Sequence, residues 1–102
     1  MNINFSIILP CYNESSNIHE LYKELISLQT KNIFFEVVFV NNGSIDETGN
    51  KIDEIVDNLS KSNIQNFTIT KLNLKQNQGY GGGILEGLKI AKGEFIGWTH
   101  AD

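Results

Sequence analysis

Four short apolar runs, each parted from the next by a stretch with helical periodicity, constrain this chain more than any single motif does. Residues 5–9 and 35–40 are apolar runs rich in β-branched and aromatic side chains, the pattern of strands buried on both faces. Phe67, Ile69 and Leu72 mark a third strand, and residues 95–98 a fourth. Between the runs the period changes. Ile18, Leu21, Tyr22, Leu25 and Ile26 recur at helical spacing, as do Ile52, Ile55, Val56 and Leu59, and then Ile84, Leu85, Leu88 and Ala91. Strands separated by whole helices cannot be joined as hairpins. They call for a parallel sheet with right-handed crossovers and helices on both faces. The predicted fold is α/β and Rossmann-like, in the order β-α-β-α-β-α-β.

Local signals place the boundaries. Pro10 is expected to end the first strand. Asn17 with Glu20 three residues on reads as a capping box for the first helix, and Ser44 with Glu47 as one for the second. Asn41-Asn42-Gly43 is a turn signal, residues 63–66 are a polar connection, and Gly93 is placed to cap the third helix at its C-terminus.

The 102 residues match one domain in size, and no apolar run approaches the ~20 residues that span a bilayer. The opening residues lack the basic segment of a signal peptide, and a single cysteine, Cys11, cannot form an internal disulfide. A cytoplasmic location is therefore expected. The net charge of −4 argues against nucleic acid as a partner. It leaves room for an anionic ligand, because a metal ion or a helix N-terminus can supply positive field locally.

In such a sheet, ligands bind beyond the carboxyl ends of the strands, where the strand order reverses. The unusual polar residues lie there: Pro10-Cys11-Tyr12-Asn13-Glu14 after strand one, Asn41-Asn42-Gly43-Ser44 after strand two, His100-Ala101-Asp102 after strand four. Three segments are thus expected to converge on one rim. A carboxylate such as Asp102, just past a strand and beside a glycine-lined gap, is what a metal-bound diphosphate would need. Plainer explanations compete residue by residue. Cys11 reads as a packed, inert thiol and His19 as part of a solvated helix face. Tyr12 fits the core as well as a base-stacking position, and Asn41 to Ser44 fit a tight turn alone. Gly79-Tyr80-Gly81-Gly82-Gly83 does not complete the dinucleotide motif, since Ile84 stands at its third glycine, and it lacks the Lys-Ser/Thr of a P-loop. Close helix–sheet approach accounts for one or two of these glycines, not four in five residues.

Pro10-x-Tyr12-Asn13-Glu14, Asn41-Asn42-Gly43-Ser44-x-Asp46, and Asn77-x-Gly79 through Gly93-Glu94 together resemble the nucleotide-binding half of family two glycosyltransferases, which have the GT-A fold. The resemblance is nearest to polyprenyl-phosphate (dolichol-phosphate) sugar synthases and cell-surface polysaccharide transferases, and it covers essentially the whole chain. It implies that Pro10, Tyr12 and Glu14 line a nucleoside pocket. Asn41 and Asn42 stand where the family has an Asp-Asp pair, offering a base donor and acceptor without charge. Asn77, Gly79 and Gly81 would border the sugar diphosphate.

His100-Ala101-Asp102 occupies the family's Asp-x-Asp place with His in the first position. The resemblance implies Mg²⁺ or Mn²⁺ as cofactor, Asp102 as direct ligand, and His100 as a hydrogen-bonding group toward ribose or diphosphate. It further implies a UDP- or GDP-linked sugar as donor, and inverting transfer to a lipid phosphate or a glycan. No candidate base is visible, and the family's acceptor site lies beyond the Asp-x-Asp position. The chain is accordingly expected to be the N-terminal donor-binding part of a longer, membrane-associated transferase, weak in nucleotide binding and inactive alone. A non-catalytic module of the same fold with a degenerate metal site is the main rival. A nucleotidyltransferase is disfavoured by the lack of a basic, glycine-rich loop after strand one. A sheet edge left uncovered would let the chain self-associate.

Overall fold

Strands and helices form where the two periods predict them. β1 is Phe5–Cys11, α1 Ile18–Ser27, β2 Phe35–Asn42, α2 Thr48–Ser60, β3 Phe67–Leu74, α3 Gly79–Ile90 and β4 Phe95–Trp98. The computed structural model describes residues 2–28, 30 and 32–101. The strands of the sheet pair in parallel throughout, in the order β3-β2-β1-β4. Every strand begins with a phenylalanine in the same cross-strand row: Phe35 is level with Phe67 on one side and Phe5 on the other, and Phe5 is level with Phe95. The Phe5 ring lies 5.7 Å from Phe35 and 5.5 Å from Phe95, at contact distance for aromatic pairs.

Alternation along the central strands divides the core in two. Leu9, Val37 and Phe39 pack beneath α1 and α2 with Ile18, Leu25, Ile52 and Ile55. Ile8, Val38 and Val40 face the opposite way, toward Leu88 and Ile90 of α3. The expected helices on both faces are present, two on one side and one on the other. Both central strands are buried on each face, which explains why their sequences read as continuous apolar runs. Among the described residues no helix is long and apolar enough to cross a membrane.

Several boundary expectations are corrected. β1 does not end before Pro10 but runs through it to Cys11. Ile8 O accepts from Thr99 N, so the backbone groups of Ile8, and two residues later of Pro10, point to the β4 side. β4 has already ended there, so the missing N–H breaks no ladder bond. Neither capping box forms. Asn17 does precede α1, but its Nδ2 donates to Glu14 Oε1 (2.9 Å) and no side chain caps the helix. α2 starts at Thr48, after Glu47, and Ser44 is used elsewhere. On α3, Leu85 points outward, and the buried stripe is Gly83, Ile84 and Gly87. The helix ends at Ala91, whose N–H reaches Gly87 O while its own backbone is extended.

Gly93 is not the cap; it lies against β1, where a Cβ would come 2.6 Å from Ser6 N. That contact belongs to an anchor at the far end of the sheet from the strand C-termini. Glu36 is buried, and its carboxylate accepts from Ser6 Oγ (2.7 Å), Thr70 Oγ1 (3.1 Å) and Lys92 N (2.9 Å), while Gly93 N donates to Ser6 Oγ (2.8 Å). A buried carboxylate is tolerated because donors replace its lost water. The effect is to pin the α3–β4 connection and hence the start of β4.

Candidate active-site cleft

The strand order supplies the opening. From β1 the chain steps outward to β2 and β3, then returns to place β4 on the other side of β1. Loops leaving β1 and β4 therefore diverge at their C-terminal ends, and a crevice is left between them. A cleft of about 230 Å³ lies there, lined by Pro10, Cys11, Tyr12, Glu14, Asn42, Asn77, Gly79, Tyr80, His100 and Ala101. All four strand ends contribute: the three segments topology placed on one rim, and the β3–α3 loop that the family resemblance placed beside the diphosphate.

Side chains that looked like helix caps instead lace the loops together. Asn13 adopts φ 54°, a left-handed conformation that Asn tolerates. Its N–H donates to Ser44 Oγ (3.0 Å) and its Oδ1 accepts from Ile45 N (3.0 Å). Glu14 N donates to Thr48 Oγ1 (2.9 Å), and Ser15 N to Asp46 Oδ2 (3.3 Å). Asp46 Oδ1 meanwhile accepts from Thr48 N (2.9 Å) and from the Thr48 hydroxyl. Burial opposes ionisation of Asp46, but the Thr48 and Ser15 donors outweigh it and bring its pKa down to about 2. The β1–α1 and β2–α2 loops thus form one hydrogen-bonded unit, from which Tyr12 and Glu14 face the cleft.

Asn42 and Gly43 attach the third wall. Asn42 is buried, its Oδ1 accepts from Gln78 N (2.9 Å), and its Nδ2 donates to Gly79 O (2.9 Å). Both polar atoms of the amide are spent on the start of α3. Gly43, at φ 71°, lets the β3–α3 loop come so close that a Cβ would lie 2.3 Å from Asn77 N. Asn77 Oδ1 then accepts from Gly79 N (2.7 Å), and Gly79 itself needs φ 80°.

The fourth wall is held at both ends. Thr99 N donates to Ile8 O (3.1 Å), and Ala101 is buried in the α1–α2 core. His100 lies between them, and its ring stacks on Tyr80 with centroids 4.7 Å apart and planes 14° from parallel. Tyr12 is exposed and lines the cleft instead of entering the core. Cys11 is buried, its Sγ donates to Leu9 O, and burial with the nearby Glu14 charge pushes its pKa up to about 12. It is the inert thiol its sequence context suggested. His19 is not merely solvated: Nε2 lies 2.9 Å from Glu54 Oε1 across α1 and α2.

Pro10, Tyr12, Glu14, Asn42, Asn77, Gly79 and His100 therefore stand around one cleft, and Asn41 and Gly81 do not line it. Asn41 faces β3, with Nδ2 donating to Asn73 Oδ1 (3.1 Å), and its buried Oδ1 has no partner among the described residues. Gly81 is exposed, with nothing within 4 Å of the place a Cβ would take. Asp102, the metal ligand suggested by sequence, lies outside the described residues. Cys11, Tyr80 and Ala101 were not singled out for the cleft. For Tyr80 a signal existed, an aromatic residue between glycines at a predicted helix start.

Among the described residues no group of three or more His, Cys, Asp or Glu could hold a metal ion. The described lining offers one carboxylate, Glu14, and one imidazole, His100, and no lysine or arginine. Such a set suits a cation that draws most of its ligands from phosphate and water, and not one that needs an all-protein cage.

Residues 6–102 match the family model described as glycosyl transferase family 2. Dolichyl-phosphate beta-glucosyltransferase of Dictyostelium discoideum is 28% identical over 99% of the chain, and the match spans 31% of that protein. The crystal structure of S. aureus TarS 1-349 in complex with UDP-GlcNAc superposes with TM-score 0.74 at 33% identity, covering 98% of this chain and 27% of that one. A mannosyltransferase from Pyrobaculum calidifontis, in complex with GDP-Man and Mn²⁺, superposes with TM-score 0.81 over the whole chain and 28% of its own; at 24% identity it speaks for the fold alone. The chain thus spans under a third of the length of the relatives it matches.

Proposed function

The chain belongs to glycosyl transferase family 2, and on that premise we propose that it is the donor-binding part of a longer, inverting glycosyltransferase that takes a nucleoside diphosphate sugar with a divalent cation. The observation that carries this is the cleft at the reversal of strand order, walled by all four strand ends. Its volume of about 230 Å³ falls short of the ~300–1,000 Å³ of complete small-molecule sites, which suits part of a nucleotide sugar. Tyr12 offers a ring face to the base, Glu14 an acceptor, and the first turn of α3 faces the diphosphate with its positive dipole end.

The case for a cation is electrostatic. Glu14 is negative, no lysine or arginine lines the described cleft, and a helix N-terminus contributes only about half a positive charge. A diphosphate would be repelled without further positive charge. Mg²⁺ or Mn²⁺, with Asp102 as its protein ligand and phosphate oxygens and water completing the shell, would neutralise charge on the departing diphosphate. The acceptor is read as a lipid phosphate or a glycan, in keeping with the name of the Dictyostelium relative, and the setting as the cytoplasmic face of a membrane.

Calorimetric titration with UDP and with GDP, each with and without Mn²⁺, is the test. One of the two should bind, and more tightly with the metal. If neither binds under any condition the proposal fails. Binding indifferent to Mn²⁺ would instead favour a non-catalytic module.

A further inference from the structure

The Tyr80–His100 stack is accounted for neither by the core nor by the hydrogen-bond lacing of the loops. Its two residues are 20 positions apart in sequence, on α3 and on the segment after β4, and both line the cleft. The backbone around His100 is already fixed, by the Thr99–Ile8 hydrogen bond before it and buried Ala101 after it. Only the side-chain torsions of His100 are left to set. A neighbour lying face-on at 4.7 Å sets them, because it confines the ring to one plane. Among the described residues no group hydrogen-bonds either imidazole nitrogen. Stacking occupies the face of the ring and leaves its edge, which carries both nitrogens, available to a ligand.

We propose that Tyr80 is a positioning residue: its ring clamps the His100 imidazole so that the nitrogen-bearing edge, already oriented, meets the phosphate or ribose oxygens of a nucleoside diphosphate. This rests on the donor-site reading above. Its functional logic is preorganisation, since a histidine fixed before the ligand arrives loses less rotamer freedom on binding. The tyrosine acts through its ring and not through its hydroxyl. Tyr80 also starts α3 beside Gly79, the residue Asn42 holds, so the clamp is referenced to the same anchor as the rest of the wall.

The test has two arms. In nucleotide-free protein, proton spectra of the His100 ring report the stack directly through the ring-current shift. Tyr80→Ala should abolish that shift and Tyr80→Phe should keep it. A shift unchanged in Tyr80→Ala overturns the clamp, whether or not any nucleotide binds. In the second arm UDP and GDP are titrated in the presence of Mn²⁺. Tyr80→Ala should weaken binding by about two- to twelvefold, the range spanned by an aromatic pair of this kind. Tyr80→Phe should restore it, and in a His100→Ala background Tyr80→Ala should change little more. Equal losses in both backgrounds, or Tyr80→Phe as damaging as Tyr80→Ala, would show Tyr80 contacting the ligand itself and overturn the positioning role. If no nucleotide binds the unsubstituted chain, the donor-site reading falls, and with it the proposed ligand; the spectral arm still decides whether the clamp exists.

Discussion

Asn42 shows how a single amide can decide what a position does. Its oxygen accepts from Gln78 N and its nitrogen donates to Gly79 O, so a carboxylate could keep the first bond but would set an oxygen against the Gly79 carbonyl. Asn42→Asp should therefore destabilise the chain by about 1–3 kcal/mol, the usual cost of a buried group left unsatisfied. Urea unfolding would measure it, and an Asp variant as stable as the parent would refute the latch. Asp46 yields a pH prediction of defined sign. Its folded pKa is depressed to about 2, so its contribution to stability is present above the ordinary carboxylate range, from about pH 4 upward, and is lost as pH falls through about 2. The stability gap between the parent and Asp46→Asn should close over that window. Residue roles of this kind were the least legible part of the sequence. Ser44 and Asn17 have the composition of helix caps, but their partners are Asn13 N, 31 positions away, and Glu14. A local pattern cannot announce a bond that the fold creates. The convergence of Tyr12, Glu14 and His100 was legible, because it follows from which ends of parallel strands share a rim.

The elements themselves followed from periodicity, since seven segments with two distinct apolar repeats leave little choice of strand or helix. What periodicity could not show was that glycines, not Leu85, complete the buried face of α3. Ile84, Leu88 and Ala91 do face the sheet as their spacing indicates, but Leu85 is exposed, and Gly83 and Gly87 complete the buried face, where the helix lies close to the sheet and closest at Gly87. At Gly87 a Cβ would lie 2.6 Å from Ile8 Cγ2 and 3.2 Å from Val40 Cγ2. Gly87→Ala should thus overpack the interface and cost about 1–3 kcal/mol. Gly81 on the same helix has open space, so Gly81→Ala should raise stability by about 0.5–1 kcal/mol through helix propensity alone. Thermal or urea unfolding of the pair would show opposite signs. If Gly81→Ala also weakens nucleotide binding while stabilising the chain, the open space beside it belongs to the donor.

At the scale of the molecule, the arrangement leaves one side unfinished. β4 pairs with β1 through only four residues and has no strand on its other edge among the described residues, whereas β1 and β2 are buried on both faces. Phe95, 63% exposed, lies on one face of the strand against Phe5, and Trp98, 56% exposed, on the other face with Ile96, so apolar side chains flank an edge whose backbone groups have no strand partner among the described residues. That combination is what natural proteins blunt with charge or cover with another segment, and none of the four β4 residues is charged. A chain of this extent should therefore self-associate through β4 as concentration rises. Sedimentation would detect this as a growing average mass. Ile96→Lys or Trp98→Lys should hold the chain monomeric with an unchanged far-ultraviolet circular dichroism spectrum, because each adds a charge at the edge without disturbing either core. A parent chain that stays monomeric over the same range would overturn the prediction. Self-association unaffected by both lysines would move the contact away from β4, with β3, the other edge strand of the sheet, as the next place to look. The cleft at the C-terminal end of β4 adds a further consequence. Thr99 and Ala101 fix His100 only while β4 stays seated on β1, so any partner that completes this edge also steadies that wall of the site. Covering β4 should accordingly tighten nucleotide binding without adding a contact to the ligand, and the lysine variants should leave the affinity of the monomer as it was.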